Sequence, residues 1–189
     1  MERIVFDIYT PGEKKLRITP NRVVLIMWLI LIVVCWAGER YVPYLVRDIA
    51  LFIALCVTIF FIFRSFVTYP PLSGQLKGKI EFTNDAIIIN DTHFNITSIY
   101  KIDFHFGDYY GEVRYGYRSV NPRLSQGVNN RVEFTTNNDE QHIIQFKIRT
   151  KQGYLVLSSF INSALNSQKI SRYRATELIG EESIIIPQN

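Results

Sequence analysis

Tyrosine and arginine side chains are concentrated in one stretch of this 189-residue chain, residues 107–130. Arginine can bind a carboxylate or a phosphate through two parallel hydrogen bonds, and tyrosine offers a large contact area at low entropic cost. Irregular segments of this length are uncommon in compact domains and are often functional. The stretch is a candidate binding loop for a lipid headgroup or a protein, the simpler alternative being a flexible extension of a hairpin. The candidate residues are Tyr109, Tyr110, Arg114, Tyr115, Tyr117, Arg118 and Arg123.

The histidines do not form a pattern that is typical of catalysis. His93, His105 and His142 are isolated, and no cysteine or carboxylate stands at the spacing of a metal site. The sequence contains neither a G-x-S-x-G turn nor a phosphate-binding G-x-x-x-x-G-K-[ST] loop. We therefore predict a protein that is not an enzyme and that needs no metal or cofactor.

Two uncharged apolar runs, residues 23–38 and 49–63, lie close together near the start of the chain. Neither run has a polar stripe at helical spacing, so a buried helical hairpin in a small soluble core is the weaker alternative. Each run is shorter than the about 20 residues that span a bilayer, but the flanking Arg22 and Arg64 can extend their charged ends into the interface. We predict a transmembrane helical hairpin over residues 22–69, preceded by a cytoplasmic segment of residues 1–21.

The distribution of basic residues predicts the orientation of this hairpin. Lysines and arginines precede the first run and follow the second, whereas the short connection holds only Arg40 and Arg47. Positive charge favours the cytoplasmic side, so both termini are predicted to be cytoplasmic. Cys35 and Cys56 both fall inside the apolar runs, so no disulfide framework is expected.

The charge of the chain does not indicate a nucleic-acid partner. There are 21 Lys and Arg against 17 Asp and Glu, and the excess lies beside the apolar runs. A basic stripe with interleaved aromatic residues, which nucleic-acid binding favours, does not occur. The predicted partners are the lipid bilayer and either another protein or further copies of this chain.

Beyond a linker at residues 70–74, the hydrophobic period changes from helical to two. Apolar and polar residues alternate in residues 76–82, 100–106, 132–136 and 143–149, with turn residues between them. This pattern is typical of a small antiparallel sandwich or barrel. An amphipathic helix over residues 154–167 is predicted to cover its open end. The predicted domain is residues 75–168, and the tail, residues 169–189, is expected to pair as an edge strand or to lie loose.

The order of these elements resembles that of small bacterial membrane proteins with a pleckstrin-homology-like (PH-like) domain. The resemblance rests on residues 74–82 (GQLKGKIEF), 86–89, 99–106 and 132–134, and on the helix from Tyr154. It implies two roughly orthogonal sheets capped by the helix, and it implies binding of a lipid headgroup or a protein. The predicted fold class is an α+β membrane protein with an N-terminal two-helix hairpin and a PH-like domain.

The predicted function is that of an interaction module anchored by two spans in the bacterial inner membrane. Its PH-like domain is expected to bind a protein or lipid partner at the cytoplasmic face. The alternative is a structural or accessory subunit of a membrane complex, or a homo-oligomer.

Overall fold

The computed structural model describes residues 3–13, 18–37, 42–115 and 119–185 of the chain. The chain divides into two compact units. The first unit comprises Met1–Glu13, Leu72–Glu112 and Ser125–Asn189, and the second comprises Lys14–Pro71 and Val113–Leu124. The fold is α+β, with a large antiparallel sheet and four described α-helices, which confirms the broad fold class.

The sheets are built from nine described strands. They are β1 (Ile4–Pro11), β2 (Gly74–Thr83), β3 (Ala86–Ile89), β4 (Thr92–Asn95), β5 (Ile99–His105), β6 (Tyr110–Val113), β7 (Leu124–Gln126), β8 (Asn130–Thr136) and β9 (Gln141–Lys147). Seven of them form one sheet in the order β4-β3-β2-β1-β9-β8-β5, and β6 pairs with β7. Strands β4 and β5 are therefore the edges of the large sheet, and the described strands do not close into the barrel that was one of the two predicted forms.

The alternation of apolar and polar residues determines the buried face of each strand. In β2, Ile80 and Phe82 are fully buried, whereas Lys79, which directly precedes Ile80, is exposed. In β8, Val132 and Phe134 are buried in the same way. Successive side chains of a strand point to opposite faces, so each strand contributes one apolar face to the core. Full burial of each large apolar side chain contributes about 2 kcal/mol to stability.

The N-terminal segment supplies the central strand of the sheet, which the sequence did not predict. Strand β1 pairs with β2 from Ile4 opposite Phe82 to Pro11 opposite Gly74, and with β9 at Asp7 and Ile8. A register shift follows Asp7, and the adjacent Ile8 and Tyr9 are both buried. A bulge of this kind interrupts the alternation of apolar and polar residues, so the sequence of this segment does not predict a regular strand.

The last strand is followed by the predicted amphipathic helix, which begins later than expected. Leu155–Leu157 form one 3₁₀ turn, and helix α3 comprises Ser158–Asn166. Phe160, Ile161 and Ala164 are fully buried. The ring centroid of Phe160 lies 5.1 Å from that of Phe82 on β2. The helix therefore packs against the inner face of the sheet, as its apolar stripe predicts.

The expectation for the tail, an edge strand or loose chain, is wrong for its first half. Arg172–Ile179 form helix α4. Ser171 caps it, its hydroxyl accepting a hydrogen bond from the Arg174 N–H at 3.3 Å. The helix buries only Ala175, Leu178 and Ile179. Three apolar contacts in two turns are too few to produce a clear helical period in the sequence.

Helices α1 (Pro20–Ala37) and α2 (Tyr44–Val67) form the second unit together with residues 113–124. They are joined by a hydrogen bond from the Trp28 indole N–H to the Thr58 hydroxyl at 3.0 Å. Ala54 is buried, and most of the large apolar side chains of both helices are exposed. Helix α2, with 24 residues, is the one described helix that is long and apolar enough to cross a membrane, while apolar α1 is shorter.

Candidate functional site

A cluster of buried polar residues joins the two ends of the predicted binding loop, residues 107–130. The fully buried Asn130 side chain accepts hydrogen bonds from the backbone N–H groups of Gly107 (2.9 Å) and Asp108 (3.3 Å). Its amide nitrogen donates to the carbonyl oxygens of Asp108 (2.8 Å) and Gly127 (3.0 Å). All these groups are satisfied inside the first unit, so the loop leaves the sheet from a fixed base.

The carboxylate of Asp108 extends this cluster. It accepts hydrogen bonds from the Ser125 hydroxyl and from the Asn129 backbone N–H at 2.9 Å. The Ser125 hydroxyl in turn accepts from the Gly127 N–H at 3.0 Å. A buried carboxylate that is held by several donors is a stable structural group, because the hydrogen bonds compensate its loss of hydration. The arrangement explains why polar residues are needed at the base of the loop.

Those of the predicted tyrosines and arginines that the structure describes do not converge on one site. Tyr109 is half-buried against the core, and the Lys147 ammonium lies 4.3 Å from the ring centroid of Tyr110. Arg114 is exposed and its N–H donates to the Arg123 carbonyl at 2.8 Å, and Tyr115 is 91% exposed. Of the remaining candidates, Tyr117 and Arg118 lie outside the described residues.

Arg123 is held against helix α2. Its N–H donates to the carbonyl of the buried Ser65 at 2.8 Å, and its guanidinium lies 4.2 Å from the ring centroid of Phe66. The guanidinium also donates to the Ser119 carbonyl at 3.0 Å. A cation over an aromatic face is attracted by the negative ring surface. Arg123 therefore attaches the loop to the helix, and its charge does not point into solvent as a binding loop requires.

The rest of residues 119–124 is attached to the beginning of α1 and the end of α2. The side-chain oxygen of Asn21 accepts from the Val120 N–H at 2.8 Å, and the Asn21 N–H donates to the Asn121 side chain at 3.2 Å. The Leu124 N–H donates to the Thr68 carbonyl at 3.3 Å. The Asn21 contacts join residues 99 and 100 positions apart, and the Leu124 contact is also long-range, so no local sequence pattern can indicate them. Residues 119–124 are thus part of the helical unit.

A cleft of about 300 Å³ lies at this base of the helical pair, between the helix ends and the attached loop; we call it the base cleft. Its polar lining comprises Arg64, Thr68 and Tyr69, in and after the last turn of α2, beside the buried Ser65. Its apolar lining is Pro20, Phe61, Val120 and Pro122. The base cleft combines an apolar wall with one cationic side chain.

A second concave surface, of about 800 Å³, lies on the first unit between β5 and the beginning of α4; we call it the basic groove. Three of its four cationic side chains form no ion pair with the described residues. Two tyrosines beside these cations are 69% and 81% exposed. These three cations are Lys101, Lys169 and Arg172, and the tyrosines are Tyr100 and Tyr173. The basic groove can attract anionic groups, although the loop was the site that the sequence favoured.

Arg174, at the wall of the basic groove, is fully engaged. Its guanidinium donates to Asp103 at 2.7 Å and to Glu177 at 2.6 Å, and these hydrogen bonds raise the pKa of Arg174. It also donates to the Phe104 carbonyl at 2.5 Å. The Arg174 charge is neutralised by its partners, so the attraction for an anion comes from the other three cations.

The outer edge of β5, which borders the basic groove, is largely closed to strand addition. The Ile102 N–H donates to the Lys169 carbonyl at 2.9 Å, and the Phe104 N–H donates to its neighbour Asp103 at 2.8 Å. Together with the bond from Arg174 to Phe104, these contacts occupy the groups that an added strand needs. A ligand in the basic groove is therefore expected to be bound mainly by side chains.

The described residues offer no alternative centre for metal chemistry, since no group of three His, Cys, Asp or Glu side chains is close enough to hold an ion. The ring of His142 stacks 4.8 Å from that of Phe134, in a structural position. Comparison of the chain with protein-family models, with curated proteins and with solved structures finds no match.

Proposed function

We propose that this chain is a membrane-anchored interaction module, in which α1 and α2 span the bilayer and a PH-like domain binds a partner at the cytoplasmic face. The observation that carries the proposal is the place of the helical pair in the chain. It is inserted between two strands that pair with one another, β1 and β2. The anchor is therefore joined to the sheet by two neighbouring strands.

This connection favours an even number of membrane crossings. Pro11 lies opposite Gly74, and the Gly12 N–H donates to the Ser73 carbonyl at 2.9 Å. The chain therefore leaves the sheet and returns to it at the same place, on one side of the bilayer. If α2 crosses, a second crossing is required, and α1 is the apolar helix available for it. Its 18 residues span about 27 Å, and Arg22 in its first turn can extend to the interface.

The PH-like part of the proposal is supported by the order of the elements. Antiparallel strands in series are followed by α3, whose apolar side packs on the core. The basic groove is the partner surface that we favour, because it joins unpaired cations with exposed tyrosines. Tethering raises the effective concentration of a membrane-bound partner, so modest contacts are sufficient.

The anchor is tested by labelling single cysteines in the full chain in intact cells. With Cys35 and Cys56 replaced by Ala, Tyr44→Cys reports the connection and Asp91→Cys reports the domain. We expect an impermeant maleimide to label Tyr44→Cys in intact cells and Asp91→Cys only after permeabilisation. Both variants must react in detergent, which controls for reactivity. Labelling of both positions from the same side, or extraction of the full chain by carbonate, contradicts the proposal.

The partner surface is tested by photo-crosslinking in cells from Tyr173, with the same crosslinker at Lys77 as the control. We expect a discrete adduct from Tyr173 that Lys169→Glu and Arg172→Glu abolish. An adduct that persists in the charge-reversed chain contradicts a role for the basic groove.

The alternative, assembly of several copies or with another membrane protein, is favoured by the exposed apolar surface of both helices. Lipid covers such a surface as well as protein does. A defined oligomer of the full chain in mild detergent, with a mass that does not depend on dilution, would favour assembly over a monomeric module.

A further inference from the structure

We propose that the base cleft binds one anionic phospholipid, with the lipid phosphate at Arg64 and the glycerol and first acyl carbons against the apolar wall. The inference rests on the proposed membrane anchor. It assigns to residues 119–124 the role of completing this lipid site.

The position of Arg64 fits a phosphate ligand. It lies in the last turn of α2, three residues before the helix ends at Val67, and its side chain is exposed. Arg64 forms no ion pair with the described residues, unlike Arg174, whose charge is neutralised inside the protein. In a spanning helix this turn lies where hydrocarbon gives way to headgroups, and guanidinium binds phosphate through two parallel hydrogen bonds.

The walls of the base cleft favour a lipid over a free anion. Phe61 from α2, Pro20 from α1, and Val120 and Pro122 from the attached loop together line the cleft. The apolar wall continues along α2 at Phe60, which is 58% exposed and whose ring centroid lies 5.8 Å from that of Phe61. A soluble anion gains nothing from such a wall, whereas a phospholipid places its phosphate at the charge and its apolar part along the wall.

The loop explains why the base cleft keeps its shape. Asn21 holds Val120 by a hydrogen bond of 2.8 Å, and Arg123 holds the other end of this segment on Ser65 and Phe66. These attachments hold Val120 and Pro122 in the cleft lining, and none of them involves the Arg64 side chain. The one cation of the cleft lining is left for a ligand.

The test is native mass spectrometry of the full chain, delipidated in mild detergent and then offered phosphatidylglycerol or phosphatidylcholine. We expect one phosphatidylglycerol to be retained per chain, and Arg64→Gln to weaken this retention about tenfold. Arg22→Gln removes an equal charge from the first turn of α1 and is the matched control, expected to retain the lipid. Equal retention by Arg64→Gln and Arg22→Gln, or equal retention of the two lipids by the unaltered chain, overturns the proposal.

Three further measurements separate the sources of the signal. Val120→Trp fills the base cleft and keeps Arg64, so it should also lose the lipid while its far-ultraviolet circular dichroism and melting temperature stay unchanged. Retention by a folded Val120→Trp chain overturns the site. Displacement of the lipid by inorganic phosphate alone overturns the lipid in favour of a soluble anion. Carbonate extraction of Arg64→Gln should match that of the unaltered chain, so failure of the anchor and failure of the lipid site are distinguishable.

Discussion

Asn130 is the residue on which the base of residues 107–130 depends. Its side chain makes four hydrogen bonds to backbone groups and is fully buried. Asn130→Ala leaves these backbone groups without their partner, and burying unpaired polar groups is costly. We expect a loss of about 3 kcal/mol in stability. The measurement is the thermal transition of the full chain in detergent, followed by near-ultraviolet circular dichroism.

The control for this prediction is Asn138→Ala, which removes an exposed side chain from the turn between β8 and β9. It should change stability by less than about 0.5 kcal/mol. If both variants melt at the same temperature, the cluster does not hold the loop base.

Arg174 joins α4 to β5 by donating to Asp103 and to the Phe104 carbonyl. Replacement by Met removes the donor to the Phe104 carbonyl and the cation that pairs with the Asp103 carboxylate, and we expect a loss of about 1–2 kcal/mol. Arg174→Lys should recover only part of this, because an ammonium cannot reproduce the guanidinium fork. The matched control is Arg172→Met, which removes an exposed cation from the same helix.

The pH dependence of this contribution follows from the direction of the pKa shift. The folded-state pKa of Arg174 is raised, so its contribution is complete below the unfolded-state pKa and is lost only as pH rises through the folded value. The difference in melting temperature between the unaltered chain and Arg174→Met should therefore not change from about pH 6 to about pH 9. A difference that disappears within this range contradicts the assignment to the arginine.

At the scale of elements, β1 is the strand without which the sheet is incomplete. It lies between β2 and β9, so residues 72–189 alone expose two unpaired inner strands. We expect residues 72–189 to aggregate, and a chain that joins residue 12 to residue 73 by a short glycine-serine linker to be monomeric with a cooperative thermal transition. Size-exclusion chromatography and circular dichroism of both proteins provide the measurement. A monomeric, cooperatively melting fragment of residues 72–189 contradicts the structural role of β1.

The sequence predicted those elements whose pattern is local and regular. Strand β8 has its apolar residues at alternate positions, and α3 has an apolar stripe of helical period. Strand β1 was not predicted because its bulge at Asp7–Tyr9 interrupts the alternation, and because its partner β2 lies beyond the helical pair. Helix α4 was not predicted because it packs by only three apolar residues.

The candidate site was predictable only in its composition. The tyrosines and arginines distinguished residues 107–130 in the sequence. Arg123, however, contacts Ser65 and Phe66, and only the tertiary fold brings these two residues close to it. The basic groove brings Lys101 on β5 beside Lys169 and Arg172, which come from the far end of the chain. No rule of sequence spacing predicts that these three residues lie close together, because only the tertiary fold brings them to one groove.

At the scale of the whole molecule, the pairing of β1 with β2 constrains the number of membrane crossings. Removing α1 leaves one apolar helix, α2, between two strands that must meet on the same side. If α2 crosses alone, Pro11 and Gly74 are on opposite sides and the sheet cannot form. We expect deletion of residues 20–37 to abolish the protease resistance of the domain, measured by limited proteolysis of permeabilised membranes, in which the protease reaches both sides.

The informative control replaces α1 by an unrelated alanine-leucine helix of the same length. The sheet forms if β1 and β2 lie on the same side of the membrane, which requires only an even number of crossings. This replacement should therefore restore a protease-resistant domain, although the Trp28–Thr58 hydrogen bond is lost. Loss of that bond should cost about 1 kcal/mol, which affects helix packing more than the sheet. A resistant domain in the chain without α1 would mean that α2 does not cross, because β1 and β2 can then pair without a return span. The two-span anchor, and with it the lipid in the base cleft, would be refuted by that single result.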